Sequence, residues 1–150
     1  MSAAELAAQL ADAGHAGAYF VSDDDRDGML AAARTLGFAV ARVDLAGATT
    51  KADVLARIAA ALAFPDWFGH NWDALADALG DLSWAPPAPG RVLLFEHADA
   101  WRDAEPDEFD TLLAILDEAA FDWADRDVAL WSLLTVPPER LAVDADDDRD

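Results

Sequence analysis

Between Phe38 and Leu45, apolar residues alternate with Arg42 and Asp44, the two-residue period of a β-strand. Gly17–Ser22 reads as an earlier strand. Arg91–Glu96, with Val92-Leu93-Leu94-Phe95 at its centre, reads as a buried one, and Val128–Val136 as a last apolar strand ended by Pro137-Pro138. Helical spacing separates these runs. Val54, Leu55, Ile58 and Leu62 share one face of a helix over Lys51–Ala63, which Thr50 can cap and Phe64-Pro65 breaks. Met29–Leu36 suits a helix ended by Gly37, His70–Leu79 one ending near Gly80, and Phe109–Trp123 one with Asp107 or Asp110 near its start. Ser2 and Glu5 form a capping-box pattern for a short amphipathic helix that stops at Gly14. Asp23–Gly28 reads as a polar turn and Ala85–Gly90 as a proline-rich connection. Strands separated by helices predict an α/β fold, a small parallel sheet packed by crossover helices.

Composition narrows the function classes. A chain of 150 residues that is 54% hydrophobic supports one domain with one core. No apolar run is long enough to cross a membrane. Met1–Gly14 contains acids and no Lys or Arg, unlike a secretory signal. Cysteine is absent, which excludes disulfides and thiolate metal sites. Together these point to a cytoplasmic protein. Ten basic residues stand against 30 acidic ones, a net charge of −20. Direct nucleic-acid binding is disfavoured, because it relies on cations that neutralise phosphates. A basic protein is the natural partner of such a field. Part of the acidity is compositional, with 24 Asp against 6 Glu and a single lysine, Lys51, so the placement of charge matters more than its sum.

The segment Phe64–Trp84 has no Lys or Arg but carries Asp66, Asp73, Asp77 and Asp81. The last three lie at i, i+4 and i+8, along one face of a helix whose opposite face holds Trp72, Leu75 and Leu79. Each like-charged pair at that spacing costs about 0.2–0.5 kcal/mol in an isolated helix. Docking against a cationic cleft would relieve the repulsion. A solvated face is the plain alternative, but Trp67-Phe68-Gly69 just before the helix brings aromatics of the kind that anchor interfaces. Phe68 could equally be a core residue beneath the loop.

Leu62-Ala63-Phe64-Pro65-Asp66-Trp67-Phe68-Gly69-His70-Asn71-Trp72-Asp73-Ala74-Leu75-Ala76-Asp77-Ala78-Leu79 resembles the signature of the barstar family of ribonuclease inhibitors. The likeness runs from about Phe38 to Val136. It implies a barstar-like domain over 38–136; pattern alone adds an N-terminal strand-helix extension over 1–37 packed on the core, beyond the family fold, and charge a disordered acidic tail over 137–150. By this resemblance the protein is a stoichiometric plug and no enzyme. It would be a monomer when free and would form a one-to-one complex with a small basic ribonuclease, with its carboxylates where RNA phosphates would bind. Asp77 would be the central contact, with Asp73 one turn earlier; Asp81 joins the row by its spacing alone. Trp67 would pack on the enzyme beside Phe68, Gly69 would permit close backbone approach, Asn71 matches the family asparagine, and Glu118 would supply a further acidic contact. The chain departs from the family pattern in places. Ala76 stands where a tryptophan occurs, Trp67 and Phe68 replace tyrosines, His70 replaces an acid, and Leu82 or Trp84 fills a tryptophan position.

Rival chemistries have weaker support. Asp23-Asp24-Asp25-Arg26-Asp27-Gly28 imitates the start of a calcium loop, but its twelfth position is Arg34, a cation where a bidentate glutamate is needed. No metal and no cofactor is expected. The three histidines His15, His70 and His97 fit no known catalytic motif, although Glu96-His97 at a strand end is a position where active sites occur. The same acidic face could serve another basic toxin or a basic regulatory partner, without ribonuclease inhibition.

Overall fold

The computed structural model describes residues 3–66 and 68–135. Four strands, β1 (Ala18–Val21), β2 (Ala39–Asp44), β3 (Gly90–Glu96) and β4 (Ala129–Thr135), form one parallel sheet in the order β1-β4-β3-β2. Ala18 pairs with Ser132, Gly90 with Ala129 and Ala39 with Arg91. The α/β expectation is met. β3 and β4 are covered on both faces and nearly every residue in them is buried, as in central parallel strands generally.

Six helices cover the sheet: α1 (Ala3–Ala11), α2 (Asp23–Thr35), α3 (Lys51–Ala61), α4 (Trp72–Asp81), α5 (Asp99–Ala104) and α6 (Pro106–Ala124). The alternation of strand side chains sorts them into two cores. Val43, Leu93, Phe95, Leu130 and Leu134 face α3–α6. Val92, Leu94, Trp131 and Leu133 face α1 and α2. The steps β2→β3→β4 move across the sheet in one direction and β1→β2 moves back in the other. A single crossover hand therefore requires α2 on the face opposite α3–α6, where it is found.

Several local expectations need correction. Asp23–Gly28 is not a turn but the opening of α2. Ser22 caps it, its hydroxyl accepting from Asp25 N, and three aspartates in the first turn suit the positive end of the helix. A helix here also removes any calcium loop. The first helix stops at Ala11, and Asp12 then caps a 3₁₀ turn over Ala13–His15. Ser2 and the tail after Thr135 lie outside the described residues. The third helix ends at Ala61, two residues early, because Ala63 takes a left-handed conformation (φ 54°). Helix α5 gave no sequence signal strong enough to predict it, and Trp101, fully buried, pins it to the core.

Candidate partner-binding site

Helix α4 begins two residues later than the pattern suggests. Asn71 is its N-cap, with Oδ1 accepting from Ala74 N at 2.7 Å, while His70 just before it sits at φ 55°. Gly80 is inside the helix, and the stop comes at Leu82, buried and left-handed at φ 49°. One face is apolar as expected: Leu75, Ala78 and Leu79 are fully buried and Trp72 half-buried. The other carries Asp73, Asp77 and Asp81, all exposed. None of the three is in an ion pair among the described residues; Asp81 accepts a hydrogen bond from the Ser83 hydroxyl at 3.1 Å. Asp73, in the first turn, also lies at the favourable end of the helix dipole.

The helix is clamped at both ends. At its start, the Trp72 indole N–H donates to Glu108 on α6 at 2.6 Å, and Lys51 lies over the Trp72 ring at 5.2 Å. At its end, the Trp123 indole N–H donates to the Leu79 carbonyl at 2.6 Å and Arg126 to the Gly80 carbonyl at 2.8 Å. These bonds lay α4 alongside α6 in the same direction. Exposed Glu118 falls on the stretch of α6 between the two clamps. Arg126 stacks on Trp123 at 3.9 Å and supplies a cation at the negative end of α4. Trp72, Trp123, Lys51 and Arg126 were not expected to position the site. The available signal was the indole N–H, which needs an acceptor wherever a tryptophan is buried.

The loop before α4 is built on aromatics. Phe68 is only 4% exposed and lies in the core, its ring 4.8 Å from Phe64 and 4.9 Å from His70. It supports the loop from beneath. Gly69 is exposed, and a Cβ there would come within 3.3 Å of Asn71 Nδ2, so side-chain space is tight on the cap side. Trp67 lies outside the described residues. Trp84 meets Phe64 edge-on at 5.5 Å and donates to the Leu62 carbonyl at 3.2 Å, tying the two ends of this segment together. Leu82 is buried and Trp84 half-buried, so both support the segment from within.

The histidines are placed apart. His15 meets Asp12 at 2.6 Å, and His70 packs on Phe68. His97, at φ 60° after β3, meets Asp44 at the end of β2 at 2.9 Å. This bond pushes the His97 pKa up; a backbone bond from Ala46 and the His97 bond together push Asp44 down. Arg26 reaches Glu96 at 3.2 Å beside that pair, tying α2 to β3. No group of His, Asp and Glu suited to hold a metal occurs among the described residues. None of the described helices is long and apolar enough to cross a membrane.

A model of the family described as Barstar (barnase inhibitor) matches residues 38–135, the stretch from the start of β2 to the end of β4. No curated protein matches the chain.

Proposed function

Because the chain belongs to the barstar family, whose members inhibit barnase-type ribonucleases, we propose that it is a stoichiometric inhibitor of a small basic ribonuclease, using α4 as the plug. The observation that carries the reading is the row Asp73, Asp77 and Asp81, exposed and, among the described residues, free of ion pairs, on a helix clamped at both ends. Carboxylates accept paired hydrogen bonds from arginine much as phosphate oxygens do. A helix already fixed against α6 presents them with little further ordering on association.

In this reading Asp77 is the central contact, Asp73 sits one turn before it and Asp81 one turn after. Gly69 and Trp67 lie on the approaching loop, and Glu118 adds an acid from α6. Asn71 and Phe68 act from behind, by capping α4 and by supporting the loop. The protein is a monomer when free, takes no cofactor, and contacts no nucleic acid itself.

The test is calorimetric titration into small basic ribonucleases with an RNA-cleavage assay alongside. One-to-one binding that stops cleavage and is lost in Asp77→Ala supports the plug. Loss of one partner from a buried charge pair costs about 2–5 kcal/mol, or roughly 30-fold to several-thousand-fold in affinity, a range that draws on the barnase–barstar complex itself. Binding insensitive to Asp77→Ala would show that another face is used. Binding with cleavage intact would favour a different basic partner, the reading that Ala76 and His70 leave open by departing from the family pattern.

A further inference from the structure

Among the described residues, the sheet ends at β1 on one side. Ser132 N donates to Gly17 O, so in the parallel ladder the polar groups of Gly17, Tyr19 and Val21 face β4 and those of Ala18 and Phe20 face outward. The Ala18 amide is taken by Asp117 at 2.8 Å. The Ala18 carbonyl and both backbone groups of Phe20 point away from β4 and have no main-chain partner in another element among the described residues. Beside this edge, between β1, α1 and α2, lies a groove of about 470 Å³. Leu6, Met29, Tyr19 and Trp131 supply its apolar wall, and Asp24 and Asp25 line it too. Tyr19 is 45% exposed and its ring lies 5.4 Å from that of Trp131. Neither Asp24 nor Asp25 is in an ion pair among the described residues, because Arg26 turns to Asp23, Asp27 and Glu96 instead.

We propose that this edge and groove dock an extended segment of a basic partner protein. The segment adds a strand beside β1 and sets a lysine or arginine against Asp24 and Asp25, with an apolar residue two positions away, on the same face, against Tyr19 and Trp131. Strand addition satisfies the open backbone groups, and alternate side chains then enter the groove. The two carboxylates and the aromatic wall select a cation. A second copy is disfavoured, since two chains of charge −20 would bring acids against acids. Apart from Trp131, the docking surface is built by residues before Phe38, outside the family match, and it lies on the face of the sheet opposite α4. It is therefore independent of the inhibitor reading, and both surfaces can be engaged at once.

The probe is an acetylated, amidated Thr-Arg-Thr-Leu-Thr peptide, which puts Arg and Leu on one face, titrated into the full isotope-labelled chain and read by NMR, with a Glu-for-Arg peptide as control. Shifts centred on the Phe20 amide and the Trp131 indole are expected, with no response to the control. Asp24→Asn with Asp25→Asn should weaken binding about fivefold, as expected for two exposed ion pairs. Ser22 still caps α2 in that variant, because the cap bond runs to the Asp25 backbone. Shifts spread over the acids of α4 and α6, or none at all, would overturn the proposal. So would movement of the Phe20 amide on Arg140→Ala without peptide, which would give the groove to the chain's own residues after Thr135.

Discussion

Replacing Asn71 separates two roles that an interface asparagine can play. Its Oδ1 accepts from Ala74 N at 2.7 Å, while its Nδ2 reaches Gly69 O only at 3.4 Å, too long to count for much. The side chain is exposed, so Asn71→Ala removes a cap bond and leaves no cavity. The expected loss is about 1 kcal/mol of stability. For a chain of this size that lowers Tm by about 2–4 °C. Asp73 lies in the turn that frays, so inhibition should weaken as well, by less than on removal of Asp77, which is a full turn further along. Asn71→Asp keeps a capping oxygen and adds a charge at the favourable helix end. It should restore both Tm and inhibition. Thermal melts and inhibition titrations of the two variants decide the matter. An unchanged Tm in Asn71→Ala would refute the capping argument. Asn71→Asp that is stable but inhibits no better than Asn71→Ala would show that the amide N–H group itself works at the interface.

Other variants probe the supports of the site. Trp123→Phe removes the donor to Leu79 O and should cost about 1–3 kcal/mol in denaturant melts, with amide exchange rising at the end of α4 before anywhere else. A Cβ at Gly90 would collide with the Phe38 ring at the start of β3, so Gly90→Ala should cost about 1–3 kcal/mol by urea unfolding. The His97–Asp44 bond has a defined pH window. Raised His97 contributes fully below its ordinary pKa of about 6.5 and is lost as pH rises through its folded value; lowered Asp44 contributes above about 3.9 and is lost as pH falls through its own. NMR titration should therefore find His97 above 6.5 in the intact chain and nearer 6.5 in Asp44→Asn. Raising salt should weaken nuclease inhibition through slower association, with little effect on Tm.

The strands were legible because period-two alternation and short apolar runs between turn residues suit little besides a sheet, and Thr50 and Gly37 marked helix ends correctly. The opening of α2 was misread because five polar residues before a glycine look like a turn; only Ser22, one position earlier, reveals the cap. Gly80 misled in the opposite direction, since the packing of Leu79 and Leu82 carries the helix past it. At the candidate site, spacing alone separated the acidic face of α4 from its buried one. It could not show that Asn71 caps the helix, that Phe68 is buried, or that two tryptophans pin α4 to α6. The pins depend on partners 36 and 44 residues away in the chain. Trp67 and the tail over 137–150 lie outside the described residues.

The position of β1 has a consequence during synthesis. Among the described residues its one partner is β4, and the Trp131 indole N–H donates to Leu10 O, so β1 and α1 are joined to a strand made more than a hundred residues later. Ala18 emerges from the ribosome long before Ser132 exists. Until then Tyr19, Phe20 and Val21 have no sheet to join, and the aspartates that follow them guard an apolar run against pairing with the wrong chain. The β2–β3–β4 stretch can begin to assemble from its own nearer contacts, and the amino-terminal layer closes onto it last. A stalled or truncated product lacking β4 would therefore expose that apolar strand, making it a natural target for chaperones or proteases.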